Sequence, residues 1–297
     1  MQMNKMINSL INGDCLNVLK ENIPNNSIDL IYADPPFNTE LDWGEYDDSW
    51  SMKDFENEWA EYIYDKYPKL DSILDTVSLI KGESACAYMI MMSVRLLELH
   101  RVLKDTGSIY LHCDQHASHY LKLVMDSIFG NKQFQNEIIW AYRTGGVSPY
   151  RFARKHDTIF FYSKTDKYTF NECREKSYIG LGKPGVTTYG HSGQEYEIFK
   201  DHGGTYRNVI MRDVWQMDAT GTLSHERLGY PTQKPIGLLK RIIVASSNEG
   251  DLVLDPFMGS GTTMAAAQAC NRDWIGIDIN EQALKIAESR LYQSALL

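Results

Sequence analysis

Long hydrophobic runs are missing from this chain of 297 residues. The longest uninterrupted apolar stretch, residues 85–92, is far shorter than the roughly 20 residues that a membrane-spanning helix requires. The N-terminal residues also lack the apolar segment of a signal peptide. These two absences argue against a membrane or secreted protein, so we expect a cytoplasmic protein without a membrane partner.

Cysteine is scarce as well. The five cysteines are odd in number and widely scattered, and none belongs to a Cys-x-x-Cys pair, which argues against a disulfide framework and a zinc ribbon. One stretch does crowd polar side chains that can bind metals: His112, Cys113, Asp114, His116 and His119. Their spacing matches no common closed metal site, and a capped helix start explains them better. We therefore expect no metal.

Positive charge is in the minority, because 30 Lys and Arg face 39 Asp and Glu and give a net charge of −9. The distribution is uneven. Residues 142–240 contain 15 basic and 10 acidic side chains, whereas the rest of the chain contains 15 and 29. A basic central third on an acidic body is compatible with one face that meets nucleic-acid phosphates, although an uneven but solvated surface explains the same counts.

What the chain does contain is an alternation of strand and helix patterns, which predicts an α/β protein with a mostly parallel sheet covered on both faces. The alternation is clear in residues 1–143, is lost in the glycine-rich residues 144–230, and returns in residues 231–297. We therefore interpret residues 144–230 as an inserted, substrate-facing region between two halves of one α/β domain.

The first informative stretch is Asp34-Pro35-Pro36-Phe37, which follows the apolar residues 28–32. Proline has no amide hydrogen and keeps the preceding residue extended, so this pattern predicts a buried strand that ends abruptly. Asp34 is therefore expected at the carboxyl end of a strand.

The second informative stretch, residues 253–263, places Gly259 and Gly261 between a predicted strand and a predicted helix. Glycines at such a turn let the backbone approach a ligand, and the helix start suits an anionic group. Asp278 ends the next predicted strand, where dinucleotide-binding folds hold ribose hydroxyls. The third glycine of the dinucleotide fingerprint is missing, so a nucleoside ligand without a pyrophosphate fits better than NAD.

Together these stretches resemble a known family. Asp34-Pro35-Pro36-Phe37 resembles the (D/N/S)PP(Y/F) catalytic motif of S-adenosylmethionine-dependent DNA amino-methyltransferases, and Phe257-x-Gly259-x-Gly261 resembles their FxGxG cofactor motif. The catalytic motif comes first by about 220 residues, which is the order of the circularly permuted β class. "PTQKP" at 231–235 and "NGDCLNVL" at 12–19 resemble two further motifs of that class. The resemblance implies a Rossmann-like methyltransferase fold, circularly permuted, with an inserted target-recognition region.

The resemblance also implies roles for individual residues. Asp34 and the carbonyl of Pro35 would accept the two hydrogens of the target amine, so that the nitrogen lone pair points at the methyl group, and Phe37 would stack on the base. Pro36 completes the catalytic set. The implied cofactor is S-adenosylmethionine, and the residues implied to bind it are Asp14, Cys15, Asp34, Lys234, Asp255, Phe257, Gly259, Ser260, Gly261, Thr262 and Asp278.

An amine inside a duplex is inaccessible, so the implied reaction needs a base that is flipped out of the helix. Phosphate contacts would offset part of the cost of flipping. The candidates are Arg143, Arg151, Arg154 and Lys155, with Tyr150 and Phe152 interleaved, although solvated surface positions and core packing are the alternatives.

The resulting functional hypothesis is a site-specific DNA methyltransferase that modifies adenine N6. Adenine is favoured because family members whose motif begins with Asp mostly modify adenine, whereas those that begin with Ser mostly modify cytosine. Cytosine-N4 methylation and a catalytically inactive DNA-binding module remain alternatives. Methylation of RNA or protein glutamine fits less well, because those enzymes keep the unpermuted motif order. Double-stranded DNA is the expected partner, and the resemblance leaves open a homodimer and a cognate restriction endonuclease.

Overall fold

The computed structural model describes residues 6–36, 58–143, 147–179, 188–189, 195–220, 226–230 and 232–294. The described helices are α1 (Cys15–Asn22), α2 (Glu58–Lys66), α3 (Pro68–Lys81), α4 (Glu83–Val102), α5 (Ser118–Phe129), α6 (Ile236–Ser246), α7 (Thr262–Ala269) and α8 (Glu281–Ser294). The strands are β1 (Ser9–Asn12), β2 (Ile28–Ala33), β3 (Leu103–Cys113), β4 (Phe134–Ala141), β5 (His156–Ser163), β6 (Arg174–Tyr178), β7 (Thr188–Tyr189), β8 (Glu195–Tyr196), β9 (Phe199–Asp201), β10 (Gly204–Ile210), β11 (Val214–Gln216), β12 (Leu252–Asp255) and β13 (Asp273–Asp278).

A central sheet of eight strands has the order β1-β13-β12-β2-β3-β5-β4-β11. Its strands pair in parallel except for β5, which runs antiparallel to both β3 and β4. The expected mostly parallel sheet is therefore confirmed. β12 lies between β13 and β2, so two strands from opposite ends of the chain are neighbours in the middle of the sheet.

The two faces of the sheet pack against different helices. Along β2, Ile31 and Ala33 join the core formed with α1, α3, α4 and α5, whereas Leu30 and Tyr32 join the core formed with α6, α7 and α8. This alternation is the period of two that a strand imposes on its side chains. All four side chains are at most 1% exposed, so β2 is buried on both faces, as parallel strands under helices usually are.

The region interpreted as an insertion contributes to two kinds of structure. β5 and β11 belong to the central sheet, while β6, β10 and β9 form a separate three-stranded antiparallel sheet and β7 pairs with β8. The division at residues 144 and 230 stays a prediction. Among the described residues, no helix is both long and apolar enough to cross a bilayer.

Candidate active site

The informative stretches of the sequence meet at the carboxyl ends of the parallel strands of the central sheet, which we call the sheet edge. β12 pairs in parallel with β2, with Val253 opposite Leu30 and Leu254 opposite Ile31. β12 leads to residues 256–261, which we name the glycine loop, and β2 leads to Asp34. These two strands therefore end side by side. The carboxyl ends of parallel strands are where open α/β sheets bind their ligands.

Asp34 directly follows the last residue of β2 and forms an ion pair with Lys234. The Lys234 Nζ and the Asp34 Oδ2 are 2.5 Å apart, and the two side chains are 10% and 15% exposed. The other carboxylate oxygen, Oδ1, is buried and accepts no hydrogen bond from any described residue. A buried oxygen without a donor is costly, so this atom is suited to an N–H group of a ligand.

Pro35 is buried and Pro36 is half-buried beside Asp34, whereas Phe37 lies outside the described residues. The structure thus describes three of the four residues of the predicted catalytic motif. The predicted stacking of Phe37 on a base stays a prediction.

Asp278 is the last residue of β13, and its carboxylate binds the glycine loop. Its Oδ2 accepts a hydrogen bond from the backbone N–H of Gly259 at 2.8 Å, and its Oδ1 accepts one from the N–H of Asn280 at 2.9 Å. Burial raises the pKa of this carboxyl, although its backbone hydrogen bonds act in the opposite direction. The predicted ribose-binding carboxylate is therefore adjacent to the glycine loop.

Asp255 ends β12 and is 2% exposed. Its oxygens accept hydrogen bonds from the backbone N–H of Phe257 at 3.0 Å and from the hydroxyl of Thr263 at 2.5 Å. Burial raises the pKa of Asp255 to about 7 in spite of these two hydrogen bonds. Both contacts are within the loop and the helix after it, so Asp255 holds the loop in place.

The glycines of this loop are required for packing, in addition to their predicted role in ligand binding. Gly261 adopts φ 72° ahead of α7, and a Cβ atom at this position would come within 2.6 Å of the Cβ of Ala287 in α8. Gly259 adopts φ 49°, and a Cβ there would come within 3.1 Å of the ring of Tyr230. Both positions therefore need glycine, for the backbone conformation and for the close neighbours.

Other residues of the predicted cofactor set also pack locally. Phe257 is partly buried against the core on the α1 and α4 side of the sheet. Ser260 and Thr262 are buried, and Arg290 donates a hydrogen bond to the carbonyl of Ser260 at 3.2 Å. These contacts fix the shape of the loop.

Residues 226–230 and 232–236, which we name the strap, cross this loop. Gln233 ties the strap together, because its side chain accepts a hydrogen bond from the N–H of Leu228 at 2.9 Å and donates one to the carbonyl of Glu226 at 2.5 Å. The hydroxyl of Thr262 donates to the carbonyl of Lys234 at 3.3 Å, which joins the strap to the start of α7. The strap thereby brings Lys234 to Asp34. The predicted role of this lysine in binding the cofactor stays a prediction.

Tyr230 is a strap residue that sequence reasoning missed. Its ring lies against Gly259, and burial together with the negative charges of Asp278 and Asp34 raises its pKa to about 12. The side chain is therefore close enough to the predicted ribose carboxylate and the predicted catalytic carboxylate for both charges to act on it. Its position directly before the "PTQKP" stretch was the available signal.

Asp14 and Cys15 lie at the same sheet edge, because Asn12 of β1 pairs with Asp278 of β13 and the N–H of Gly13 donates to the Asp278 carbonyl at 3.0 Å. The carboxylate of Asp14 caps α1 by accepting from the N–H of Leu16 at 2.8 Å, and it forms a 2.5 Å ion pair with Arg95.

Cys15 is 5% exposed, and burial raises the pKa of its thiol to about 11. The thiol therefore stays protonated at neutral pH. The structure places both residues near Asp278, the predicted ribose carboxylate, and their own contact with an adenine also stays a prediction.

A buried polar chain lies at the end of β3. The Tyr32 hydroxyl and His112 Nδ1 are 2.8 Å apart, and His112 Nε2 lies 3.2 Å from an oxygen of Asp157. Tyr142 donates to the other Asp157 oxygen at 3.1 Å. Burial acts to raise the pKa of Asp157, but the hydrogen bond and charge of His112 and the charge of Lys234 outweigh it and lower the pKa.

The polar stretch after β3 forms a turn. Asp114 accepts hydrogen bonds from the N–H groups of His116 at 2.9 Å and Ala117 at 3.3 Å, ahead of α5. Within the described residues, no group of three or more His, Cys, Asp or Glu side chains is arranged to hold a metal ion.

The predicted DNA-binding residues border the loop between β4 and β5. Arg143 is already engaged, because its guanidinium forms a salt bridge with Asp218 and its Nε lies 3.0 Å from an Asp218 oxygen. Lys155 donates to the carbonyl of Arg143 at 3.1 Å. Arg151 and Arg154 are exposed. The structure therefore distinguishes Arg143 and Lys155, which have polar partners, from Arg151 and Arg154, which are exposed on the same loop.

Known proteins resemble this chain along most of its length. A family model described as DNA methylase matches residues 28–289. The DNA adenine methyltransferase YhdJ of Escherichia coli is 32% identical over 95% of this chain and 82% of that protein. The type II methyltransferase M.HpaI of Haemophilus parainfluenzae is 30% identical over 93% of this chain and 73% of that protein.

Solved structures share the fold at lower identity. The M1.HpyAVI complex with SAM has a TM-score of 0.57 at 18% identity and covers 95% of this chain and 98% of that chain. The cytosine-N4-specific PvuII DNA methyltransferase has a TM-score of 0.57 at 18% identity and covers 95% of this chain and 85% of that chain. These matches confirm the expected Rossmann-like methyltransferase fold. The family model covers most of the chain, and the two adjacent strand ends and the glycine loop both lie within the matched residues. The chain therefore belongs to the N6/N4 DNA methylase family.

Proposed function

We propose that this DNA methylase transfers a methyl group from S-adenosylmethionine to the exocyclic N6 of an adenine flipped out of duplex DNA. The observation that carries the proposal is the free Oδ1 of Asp34, buried beside the glycine loop while Lys234 holds the other oxygen. When bound, S-adenosylmethionine supplies an electrophilic methyl group on a sulfonium centre.

The residues at the sheet edge fit this cofactor. Asp278 would accept hydrogen bonds from the ribose hydroxyls, and the amino-acid portion of the cofactor would lie along the backbone of the glycine loop. Tyr230 would form a wall between cofactor and base. Asp14 and Cys15, one strand further along, would lie near the adenine of the cofactor.

Asp34 would position the target nitrogen. The lone pair of an exocyclic amine is delocalised into the ring, so the nitrogen must be held in a pyramidal geometry before it can attack. The free Oδ1 of Asp34 accepts one N–H, and the rigid Pro35 carbonyl accepts the other. Two fixed acceptors favour the transition state more than the planar ground state, which is the requirement for catalysis.

Adenine is the base that the relatives and the motif favour together. The motif begins with Asp, and the relative YhdJ carries the name DNA adenine methyltransferase. The PvuII DNA methyltransferase, which shares the fold, is cytosine-N4-specific, so cytosine N4 stays the second candidate. The order of the two motifs supports the permuted β class.

The regions outside the sheet edge suggest how DNA binds. We assign target recognition to the sheet of β6, β10 and β9, and phosphate contacts to Arg151 and Arg154. The names of the type II relatives support a cognate restriction endonuclease as a partner, whereas a homodimer rests on the sequence resemblance alone. A DNA substrate is consistent with the expected cytoplasmic location.

The test is to express the protein in a bacterial host that lacks DNA methylation and to sequence its DNA by a single-molecule method that reports modified bases. N6-methyladenine in one recurring motif is the expected result. The Asp34→Ala variant should bind the cofactor with nearly unchanged affinity and leave no methylation. N4-methylcytosine would overturn the choice of base, and unmodified DNA with intact cofactor binding would indicate an inactive module.

A further inference from the structure

The loop between β4 and β5 exposes large apolar side chains to solvent. Val147, Tyr150 and Phe152 are 90%, 95% and 98% exposed. Single exposed apolar residues are normal on a protein surface, but several of them on one short loop form a patch that marks an interaction site. These exposed side chains make the loop a candidate interaction surface.

The loop is attached at the active-site edge of the sheet. β4 runs parallel to β3, because each of them is antiparallel to β5, so the loop after β4 leaves the sheet at the same edge as Asp34. Its base is fixed, since Tyr142 at the start of the loop donates a hydrogen bond to Asp157 at its end. Asp157 in turn contacts the buried His112. The exposed rings are therefore carried by a loop whose base is fixed at the same edge of the sheet as Asp34.

The charges on the loop indicate the chemistry of the partner. Arg151 and Arg154 are exposed and form no salt bridge with a described carboxylate, in contrast to Arg143 with Asp218. Arginines that alternate with exposed aromatic rings match the alternation of phosphates and bases in nucleic acid. An apolar protein partner would not require these cations.

We propose that Tyr150 and Phe152 enter the base stack of duplex DNA and fill the space left by the flipped base, while Arg151 and Arg154 bind the flanking phosphates. The inference rests on the proposed function, because only an enzyme that acts on an extruded base needs such a filler. Aromatic and other apolar wedges replace the stacking that a duplex loses when it is opened. The wedge would therefore stabilise the flipped state and not the chemical step.

This distinction gives a test with two substrates. The first is a duplex that carries the recognition sequence found by sequencing the methylated host DNA. The second is the same duplex with an abasic site opposite the target adenine, which removes most of the cost of flipping. The double variant Tyr150→Ala/Phe152→Ala should lose about 5- to 150-fold in kcat/KM on the first substrate, the range expected for lost base–aromatic stacking. It should match the wild type on the second substrate.

A fluorescent reporter checks the flipped state itself. With 2-aminopurine at the target position, the wild type should raise the fluorescence on binding, and the double variant should not. Tyr292→Ala is the matched control, because this tyrosine of α8 is 71% exposed and lies in no predicted site. Unchanged binding of S-adenosylmethionine by the variants shows that they are folded.

Equal losses of the double variant on both substrates, or no loss on either, would overturn the wedge and leave the proposed function intact. A wild-type protein that binds S-adenosylmethionine but leaves the host DNA unmethylated would overturn both proposals.

Discussion

Replacement of Lys234 by Met tests whether this lysine supports Asp34, the proposed catalytic carboxylate, or binds the cofactor. The structure places its ammonium 2.5 Å from Asp34, with both groups largely removed from solvent. Unit charges at this distance attract by about 7 kcal/mol at an effective dielectric constant of 20. Loss of hydration offsets much of this attraction, but a buried charge that loses its partner still costs roughly 3–5 kcal/mol. We take the lower end, because neither group is fully buried.

The Lys234→Met variant should therefore lose about 3 kcal/mol in its free energy of unfolding. Its kcat should fall by roughly 100-fold, the effect of disturbing one preorganised polar group in an active site. The dissociation constant for S-adenosylmethionine should stay close to that of the wild type. Urea unfolding, transfer of a labelled methyl group to DNA, and calorimetric titration measure the three quantities separately.

Two further variants sharpen this experiment. Asp34→Asn/Lys234→Met removes both charges and should recover part of the lost stability, since neither charge is left unpaired. Lys285→Met on α8 is the control, because this lysine is exposed. A variant at Lys234 with normal stability and normal kcat but clearly weaker cofactor binding would refute the reasoning and support the role predicted from sequence.

Four other predictions address the rest of the site. Asp278→Ala should weaken binding of S-adenosylmethionine by roughly 1–3 kcal/mol, and an unchanged titration would remove Asp278 from the site. Tyr230→Ala should weaken binding of this sulfonium by about 2- to 30-fold more than binding of its neutral thioether product, as expected for a lost cation–π contact; equal effects on both ligands would place the ring elsewhere. Burial raises the folded pKa of Asp255 to about 7, above the unfolded value of about 4, so the folded protein binds the extra proton and wild-type stability falls as the pH rises through this window. Asp255→Asn should abolish that fall in urea unfolding between pH 4 and 8, and parallel curves for the two proteins would contradict the assignment. Removal of Arg151 and Arg154 together should reduce the slope of log K against log salt for DNA binding by about 2, and an unaltered slope would take both off the phosphates.

The sequence was sufficient for features that depend on neighbouring residues. The proline pair after an apolar run predicted that a strand ends at Asp34, and β2 does end at Ala33. The glycines at 259 and 261 predicted a turn between strand and helix, and both adopt positive φ between β12 and α7. Such features follow from local backbone sterics, which act over a few residues and are the same wherever the segment is placed.

Contacts between distant segments could not be predicted from the sequence. The lysine of the strap was predicted to meet a cofactor, and only the folded chain shows that its ammonium reaches Asp34. The clash of a Cβ at Gly261 with Ala287, and the position of Tyr230 over Gly259, are equally invisible in either segment alone.

The sequence by itself therefore determined which elements form, where they end and which chemical groups stand at their ends. The tertiary structure decided which ends meet, because β12 and β2 are neighbours only through hydrogen bonds and packing between segments about 220 residues apart. Strand pairing of this kind depends on how all the helices cover the sheet, and local pattern does not specify it. That pairing places the strand end at Asp34 next to the strand end at Asp255.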